Sequence, residues 1–367
     1  MTDALKTDIC VIGGGSGGLS VAAAAAAFGV PVVLVEKGKM GGDCLNYGCI
    51  PSKTLISIAK KAHAIRQADR FGLTTVPPVV DFANVRKRIQ DVIATIAPHD
   101  SEERFTGLGV KVLRGAARFT GPDRIEVNGQ TIRARRFVIA TGSSAFVPPV
   151  PGLADVPYLT NETIFDLDVL PRHLMIVGGG PIGLELGQAF RRLGSRVTVL
   201  EAARALAKDD PELSAVVLSS LRDEGVVIHE NTKVLAVGKE ESGIALTLDA
   251  SAGPATVAGS HLLVAAGRTP NVAGLNLEVA GVAYDRRGIT VGPDLRTTNK
   301  KIYAIGDVSG GLQFTHVAGY HAGLVIQEIL FRLPARENRS IIPWATFTEP
   351  ELAHVGLTEA EAKAQHE

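Results

Sequence analysis

Apolar and polar positions follow one order twice along the 367-residue chain. Near the N-terminus, an apolar run at residues 9–12 leads into three glycines, then a helical stretch, and then a second apolar run at residues 32–35. Short unbroken apolar runs are typical of parallel strands that are buried on both faces. This order predicts a strand, a glycine-rich turn, a helix and a second strand parallel to the first.

The second copy of this order lies further along the chain, where apolar runs at residues 174–177 and 197–200 flank a helical stretch. Each copy has three glycines in a GxGxxG arrangement, and they are Gly13, Gly15 and Gly18 in the first and Gly178, Gly180 and Gly183 in the second. Each copy also ends in an acid, Glu36 or Glu201, at the same distance from its last glycine. The repeat predicts two units of the same kind.

The GxGxxG pattern suits the binding of a dinucleotide. The first glycine permits a tight turn, the second lets the backbone approach a pyrophosphate, and the third packs the helix on the strand. The acid accepts a hydrogen bond from a ribose 2′-hydroxyl. A single copy is equally well explained as an ordinary glycine-rich turn. Two copies, each with its acid, favour an enzyme that moves electrons between a flavin dinucleotide and a nicotinamide dinucleotide.

The cysteines change the picture further. Cys44 and Cys49 form a C-x4-C pair without a second pair of ligands, so we expect no zinc site and no other metal site. Because it follows a nucleotide-binding pattern, the pair is better explained as a redox disulfide than as two incidental buried cysteines. A helix that begins near Cys44 would favour its thiolate. Cys10 falls in the first predicted strand and is expected to be a small buried residue.

Charge and apolar length exclude two classes of partner. Lys plus Arg and Asp plus Glu are both 38, so the chain has no general field to attract nucleic acid or an anionic membrane. The longest nearly apolar stretch, at positions 19–35, contains a glycine and a proline and is too short to span a membrane. The N-terminus shows no basic and apolar leader. We therefore expect a cytoplasmic protein.

At this point the residues resemble the flavoprotein pyridine nucleotide–disulfide oxidoreductases. The motifs that carry the resemblance are the redox segment at residues 42–53, the ATG at 140–142, the segment GRTPN at 267–271 and the segment IYAIGD at 302–307. The resemblance implies an α/β fold with two Rossmann-like dinucleotide-binding domains, the second inserted in the first. It places the FAD-binding domain at 1–147 and 268–341, the NAD(P)-binding domain at 148–267, and the start of a truncated dimerisation domain at 342–367.

The resemblance also implies roles for individual residues. The residues expected to hold FAD are Gly13, Gly15, Gly18, Glu36, Gly42, Thr141, Gly142 and Asp307. Those expected to hold the nicotinamide dinucleotide are Gly178, Gly180, Gly183 and Glu201, and Gly267 and Arg268 belong to the second crossing motif. Cys49 is implied to be the thiol that faces the flavin, and Cys44 the thiol that attacks the substrate. Lys53, four residues after Cys49, is expected to form an ion pair with Glu185 beside the flavin.

Three departures from the family pattern accompany the resemblance. Asp43 stands where the family has a threonine near the FAD pyrophosphate, and we expect it to cap a helix that begins at Cys44. Pro181 stands where some members have an aromatic residue. The family continues into a dimerisation domain with a His-Pro…Glu segment, and no histidine in this sequence precedes a proline. A homodimer is therefore expected for the full-length protein and is doubtful for this chain.

The implied function is electron transfer between NAD(P)H, FAD and Cys44–Cys49, to or from a small-molecule or protein-bound dithiol or disulfide. The activity that we favour is similar to that of dihydrolipoamide dehydrogenase. Mercuric reductase-like metal reduction, or an FAD-binding redox module without disulfide turnover, are the alternatives. Glu201 favours NADH because a carboxylate repels a 2′-phosphate, whereas the nearby Arg204 keeps NADP possible.

Overall fold

The computed structural model describes residues 4–241, 243–249 and 255–366, and they form two compact units. Unit 1 holds the described residues of Met1–Asn46, Ile93–Ser144 and Arg268–Arg339, and unit 2 holds those of Tyr47–Val92, Ala145–Gly267 and Ser340–Glu367.

The α-helices of the described residues are α1 (Ser16–Ala27), α2 (Gly42–Asn46), α3 (Cys49–Arg66), α4 (Phe82–Ile96), α5 (Glu102–Gly107), α6 (Pro181–Leu193), α7 (Pro211–Asp223), α8 (Thr315–Phe331) and α9 (Glu359–His366).

The strands are β1 (Leu5–Ile12), β2 (Val32–Glu36), β3 (Lys111–Arg114), β4 (Arg118–Gly121), β5 (Arg124–Val127), β6 (Gln130–Ile139), β7 (Ser143–Ala145), β8 (Tyr158–Leu159), β9 (His173–Val177), β10 (Arg196–Leu200), β11 (Val226–His229), β12 (Lys233–Glu240), β13 (Gly243–Asp249), β14 (Thr256–Gly259), β15 (His261–Val264), β16 (Arg268–Pro270), β17 (Tyr284–Asp285), β18 (Gly288–Ile289), β19 (Ile302–Ala304), β20 (Trp344–Thr346) and β21 (Leu352–His354).

Unit 1 is built on a seven-stranded sheet of order β3-β2-β1-β6-β5-β4, with β19 also paired to β6. The pairs β1–β2, β1–β6, β2–β3 and β6–β19 are parallel, and β4, β5 and β6 are antiparallel. In the register of this sheet, Ile9 lies beside Val32 and Cys10 beside Phe137. The predicted parallel pairing of the two apolar runs is confirmed.

Alternate residues of β1 enter separate cores on the two faces of the sheet. Ile9 and Val11 belong to the core that includes residues of α1 and α8. Cys10 and Ile12 belong to the core that includes β4 and β5. A strand whose two faces are both covered must be apolar at every position, which explains the unbroken run. Burial raises the pKa of the Cys10 thiol, so this cysteine is a neutral core residue, as predicted.

Unit 2 repeats the parallel plan in a five-stranded sheet of order β11-β10-β9-β15-β8. Its helix α6 follows β9 and packs on β9 and β10, so the second predicted strand, turn, helix and strand are confirmed. An antiparallel sheet of order β12-β13-β14 shares a core with the parallel sheet. The mixed α/β fold, in which parallel strands form the five-stranded sheet of unit 2 and most of the sheet of unit 1, agrees with the expected fold class. The predicted domain boundaries remain a prediction.

None of the helices in the described ranges is long and apolar enough to cross a membrane.

Candidate functional site

The first glycine-rich loop lies in unit 1 between β1 and α1. Gly13 has a φ of +112°, and a Cβ atom there would lie 2.3 Å from the carbonyl oxygen of Ala140. A Cβ atom on Gly18 would lie 1.9 Å from the carbonyl oxygen of Gly13. Any larger residue at either position would overlap with backbone atoms that cannot turn aside as a side chain can. The two glycines therefore allow the turn, the helix and the strand to touch.

The helix that follows this loop begins without a side-chain cap. α1 starts at Ser16, and Gly15 in the capping position makes no side-chain hydrogen bond. Gly42 lies against the loop, because a Cβ atom on it would come within 2.7 Å of the Cα atom of Gly15. The first N–H groups of a helix lack partners within it, and the helix dipole favours an anion there. Bare backbone and these donors form a surface that fits a pyrophosphate.

Glu36, the last residue of β2, ties this loop together. Its two carboxylate oxygens accept hydrogen bonds from the N–H groups of Gly14 and Gly38, at 2.5 Å each. A carboxylate oxygen has more than one lone pair, so each oxygen can still accept a ribose hydroxyl. The acid thus lies where the dinucleotide fingerprint requires it.

The second glycine-rich loop, in unit 2, has the same geometry. Gly178 has a φ of +118°, and a Cβ atom there would lie 2.3 Å from the carbonyl oxygen of Ala265. A Cβ atom on Gly183 would lie 2.0 Å from the carbonyl oxygen of Gly178, whereas one on Gly180 would meet nothing within 4 Å. The space beside Gly180 lies just before α6, where a phosphate can approach the backbone.

Glu201 has the same role in unit 2 as Glu36 has in unit 1. It accepts hydrogen bonds from the N–H groups of Gly179 at 2.7 Å and Ala203 at 2.9 Å. Arg204 lies just beyond it and is exposed.

A charged cluster in unit 1 surrounds Asp307, which was predicted to bind the flavin. The Ser143 hydroxyl donates to the Asp307 carboxylate at 2.5 Å. The Arg268 guanidinium lies 3.7 Å from the same carboxylate and donates to the Ser143 hydroxyl at 2.7 Å. Burial raises the pKa of the Asp307 carboxyl, although these two contacts oppose the rise. A half-buried acid surrounded by polar groups suits the recognition of ligand hydroxyls.

Asp43 belongs to this cluster, and its predicted role was wrong. We expected it to cap a helix that begins at Cys44, but α2 begins at Gly42 and holds Asp43 in its first turn. There the Asp43 carboxylate forms an ion pair with Arg268 at 3.1 Å. Because the guanidinium offsets the carboxylate charge, this pair explains how an acid is tolerated near a predicted pyrophosphate site.

The two crossing motifs contain glycines that need their backbone freedom. Gly142 has a φ of +68° and Gly267 a φ of +125°. In unit 1, Asn271 ties the motifs together, since its side chain donates to the Thr141 carbonyl at 3.0 Å and its carbonyl accepts from the Thr141 hydroxyl at 2.8 Å. Thr141 therefore lies in a fixed position.

Sequence reasoning missed two residues of unit 1 as site members. Ser143 follows the ATG motif directly, and Asn271 was recognised as part of the second crossing motif without being assigned a role. The available signal was position beside a motif for Ser143 and position within a motif for Asn271. A contact between two motifs that are far apart in the chain leaves no local pattern.

The two cysteines of the predicted redox pair lie in two consecutive helices that belong to different units. Cys44 is the third residue of the five-residue α2 in unit 1. Cys49 is the first residue of the long helix α3 in unit 2. Both are half-buried. A helix does begin beside Cys44, as expected, while the N-terminus of the long helix lies at Cys49, where its field favours a thiolate.

The predicted ion pair between Lys53 and Glu185 is confirmed within unit 2. The ammonium of Lys53 lies 2.7 Å from the Glu185 carboxylate, and the side chains are 39% and 7% exposed. Lys53 is one turn beyond Cys49 on α3, so it shares that face of the helix. The other carboxylate oxygen of Glu185 accepts from the backbone N–H of Phe347 at 2.9 Å. Phe347 was not predicted as a site residue, and no sequence spacing relates it to Glu185.

Helix α8 contains two histidines, His316 and His321. The ring of His316 stacks on Phe314 with centroids 5.4 Å apart. His321 is buried; its Nδ1 atom accepts from the N–H of Gly306 at 3.1 Å, and its Nε2 atom lies 3.0 Å from the Glu337 carboxylate. Burial lowers the pKa of His321, which opposes its protonation. His321 therefore holds the turn that carries Asp307.

Known proteins resemble this chain over most of its length. Residues 7–322 match the family described as pyridine nucleotide-disulphide oxidoreductase. The chain is 36% identical to a mercuric reductase of Bacillus cereus, covering 97% of this chain and 57% of the relative. It is 38% identical to a mercuric reductase of Streptomyces lividans, covering 96% and 76%, and 38% identical to a dihydrolipoyl dehydrogenase of Thermus scotoductus, covering 98% and 78%. The chain thus spans little more than half of the first relative.

Solved structures agree as well. The HOCl-induced flavoprotein disulfide reductase RclA of Escherichia coli is 32% identical, with a TM-score of 0.86 over 97% of this chain and 79% of that chain. The same reductase has been solved as a Cu(II) complex, which matches with a TM-score of 0.87. From the two loops, the ion pair and these matches, the chain belongs to the pyridine nucleotide-disulphide oxidoreductase family.

Proposed function

We propose that this chain forms the FAD-binding and nicotinamide-binding part of an enzyme that passes electrons between NADH, FAD and the Cys44–Cys49 pair. The observation that carries the proposal is the Lys53–Glu185 ion pair, at 2.7 Å, on the helix that begins at Cys49. FAD and a nicotinamide dinucleotide are the cofactors of the family. In this proposal FAD lies at the loop of unit 1 and the nicotinamide dinucleotide at the loop of unit 2.

The residues of unit 1 bind and orient FAD. The N–H groups at the start of α1 hold the pyrophosphate, and Glu36 holds a ribose hydroxyl. Asp307 would accept hydrogen bonds from the ribityl hydroxyls, and Ser143 and Arg268 favour the ionised form of its carboxylate and hold it in place. Arg268 also offsets the charge of Asp43, so that the phosphates meet no uncompensated anion.

When bound, FAD supplies a centre that accepts a hydride from the nicotinamide ring and passes two electrons to a disulfide. The part of Lys53 is to keep a positive charge at this centre. Glu185 is nearly buried and needs that charge, because a buried carboxylate without a partner is costly. The ion pair thus keeps a fixed ammonium on the helix face that begins at Cys49.

The two cysteines carry the exchange with the substrate. With both thiols reduced, the thiolate of Cys44 attacks a substrate disulfide, forms a mixed disulfide and releases one substrate thiolate. The thiolate of Cys49 then attacks Cys44, which closes the Cys44–Cys49 disulfide and releases the second substrate thiolate. The two leaving thiolates take up protons. A dithiol substrate runs the same exchange in reverse.

We propose a dithiol or disulfide as the substrate, as in the dihydrolipoyl dehydrogenase relatives, with a second copy of the full-length protein as partner. A metal ion as substrate is the second candidate. It is favoured by the mercuric reductase relatives and by the Cu(II) complex of the RclA neighbour.

The visible absorption spectrum of the purified chain, before and after NADH is added without oxygen, tests the proposal. A flavin spectrum that bleaches with NADH is the expected result. A colourless protein that takes up no FAD on incubation would overturn the assignment. A bound flavin that NADH leaves oxidised would support an FAD-binding module without the nicotinamide half-reaction.

A second assay separates the two half-reactions. We expect NADH to reduce the flavin readily, while NADH-driven reduction of lipoamide by this 367-residue chain is slow, because none of its histidines lies in a His-Pro segment. A positioned acid–base group typically contributes about 10²–10⁴-fold. Turnover equal to that of a relative with the His-Pro segment would contradict this expectation. Replacing lipoamide with Hg²⁺ or Cu²⁺ in the same assay compares the two substrate classes.

A further inference from the structure

Helix α6 carries a polar face that is buried. Glu185, Gln188 and Arg192 are 6%, 3% and 4% exposed. Their spacing of three and four residues places them on one face of the helix. Buried polar side chains are costly unless they have partners, so whatever covers this face must satisfy them.

The cover is the segment of unit 2 that follows β20. The N–H group of Phe347 donates to Glu185 at 2.9 Å, and the N–H group of Glu349 donates to the Gln188 side chain at 2.8 Å. The Gln188 amide donates in return to the Glu349 carbonyl at 2.9 Å. Arg192 pairs with the Glu349 carboxylate at 2.5 Å. The helix therefore holds this segment at backbone positions two residues apart.

Contacts at both ends fix the segment without the help of Phe347. The Trp344 indole donates to Asp209 at 2.8 Å, and the Ser220 hydroxyl donates to the Glu349 carbonyl at 3.0 Å. Thr346 and Thr348, on either side of Phe347, are fully buried. Phe347 is thus held in place by its neighbours.

The ring of Phe347 lies against the predicted reaction residue. The ammonium of Lys53 lies 4.4 Å from the ring centroid, within the range of a cation–π contact. Phe347 therefore contacts both members of the ion pair, Glu185 through its backbone and Lys53 through its ring. Lys53 needs such a second contact, because a lysine that is 39% exposed has many alternative rotamers.

We propose that Phe347 is a positioning residue for the Lys53–Glu185 pair, and that Gln188 and Arg192 hold Phe347 in place through Glu349. The proposal rests on the proposed function for the role of the ion pair. It assigns residues 344–349 to the nicotinamide half-reaction, whereas the sequence placed them in a segment used for dimerisation. The half-reaction with NADH then depends on this segment.

Phe347→Leu is the informative variant, because it keeps the backbone N–H and most of the apolar volume and removes the ring. The first measurement uses the protein without cofactors. Lysines are acetylated with a trace of acetic anhydride at fixed pH, and the rate at Lys53 is compared by mass spectrometry with that at Lys87, which is 71% exposed. We expect acetylation of Lys53 to be about two- to fivefold faster in the variant, as the loss of a cation–π contact implies.

The second measurement uses the FAD-loaded protein. Stopped-flow reduction by NADH should be slower by about the same two- to fivefold at saturation, with the apparent Kd for NADH within about twofold of wild type. Phe347→Tyr keeps the ring and should restore both rates. Phe331→Leu, a phenylalanine of unit 1 that is 50% exposed, is the matched control and should change neither.

The outcomes separate this inference from the proposed function. Unchanged acetylation of Lys53 in Phe347→Leu overturns the positioning role, whatever happens to the reduction rate. Faster acetylation of Lys53 with an unchanged rate of flavin reduction also overturns it, because reduction by NADH would then not depend on the position of Lys53. If wild type binds no FAD, the proposed function fails, while the acetylation measurement still decides whether Phe347 fixes Lys53.

Discussion

The loops of unit 1 and unit 2 are alike in their backbone contacts, but the helices that follow them are not. Gly13 donates its N–H to the Val35 carbonyl at 2.8 Å, and Gly178 donates in the same way to the Leu200 carbonyl at 2.9 Å. A second hydrogen bond joins each loop to a later residue of the chain, here called the closing residue. The N–H of Gly41 donates to the Gly14 carbonyl at 2.9 Å, and the N–H of Leu206 donates to the Gly179 carbonyl at 3.1 Å. The two loops therefore share the same backbone contacts.

The closing residue shows that conformation is preserved more strictly than residue type. Gly41 has a φ of +84°, which glycine adopts freely. Leu206 occupies the matching position with a φ of +49°, which is uncommon for a residue with a side chain. Leu206 is 3% exposed, and its burial offsets the strain.

The helices differ in what they contact. The positions of α1 that match Glu185, Gln188 and Arg192 of α6 are Ser20, Ala23 and Ala27. Because these residues are small, α1 packs closely on α8 and on the strands β1 and β2 of its own sheet. With large polar residues, α6 holds α3 and the segment after β20. The helix after the loop therefore packs through small residues in unit 1, whereas in unit 2 it binds other segments through polar side chains.

The largest effect expected is from alanine at the first glycine of either loop. In Gly13→Ala and Gly178→Ala the new Cβ atom lies 2.3 Å from a carbonyl oxygen, at a strongly positive φ. Strain and overlap together cost on the order of 3 kcal/mol. We expect Gly13→Ala to lose FAD, whereas Gly178→Ala retains FAD and loses reduction by NADH. FAD content, stopped-flow reduction and urea unfolding measure this.

Gly323→Ala is the control for these variants. Gly323 lies on the exposed side of α8, and a Cβ atom there would meet nothing within 4 Å. Alanine should stabilise that helix by about 0.5–1 kcal/mol. If Gly178→Ala removed FAD as completely as Gly13→Ala does, the two loops would not be separate sites, and the comparison between them would fail.

The sequence predicted the part of the molecule that the two units share. Glycines at fixed spacing and apolar runs report local backbone needs, and the position of Lys53 four residues after Cys49 fixed its face of the helix. The contacts of α6 were not predictable in the same way, except for the Glu185 pair that the family resemblance implied. Phe347 is far from Glu185 in the chain, and Asp43 is paired with an arginine that is equally remote in sequence. Such contacts depend on packing and leave no periodic signal.

The next largest effect is expected at the two acids. In Glu36→Gln and Glu201→Gln, the amide NH₂ faces one of the two N–H donors, so a charge-assisted hydrogen bond is lost, at about 1.5–3 kcal/mol. We expect FAD to bind about ten- to a hundredfold more weakly in Glu36→Gln, and NADH in Glu201→Gln. Fluorescence titration with each dinucleotide measures this.

Glu201 is also expected to make unit 2 prefer NADH to NADPH, which gives a second test of the difference between the two loops. Its carboxylate repels a 2′-phosphate, so NADH should reduce wild type faster than NADPH at equal concentration, and Glu201→Gln should narrow the difference. Faster reduction of wild type by NADPH would show that Arg204 decides the preference. Glu36→Gln, the matched variant in unit 1, should leave the ratio of the two rates unchanged.

The smallest effect expected is a dependence of stability on pH, to which each unit contributes one buried histidine. Burial lowers the pKa of His321 in unit 1 from its usual 6.5, outweighing the Glu337 carboxylate. Burial, with Arg196, likewise lowers the pKa of His173 in unit 2, whose Nε2 atom lies 2.9 Å from the Thr198 hydroxyl. Below pH 6.5 the unfolded chain binds these protons more readily than the folded protein does. Stability should therefore be complete above pH 6.5 and fall as the pH drops toward the lowered values.

We expect the free energy of unfolding to fall by about 1 kcal/mol per pH unit for each histidine over this window. His321→Asn keeps an oxygen acceptor for the Gly306 N–H and removes the titrating ring, so the variant should lose less stability between pH 7 and 5 than wild type does. His173→Asn should do the same in unit 2, and His99→Asn, at an exposed position, should not. Urea unfolding at a series of pH values measures all four proteins. Two variants that lose as much stability between pH 7 and 5 as wild type does would show that neither histidine resists protonation. A change confined to His321→Asn would show that His321 contributes and His173 does not, because the Gly306 N–H must have an unprotonated Nδ1 atom as its acceptor.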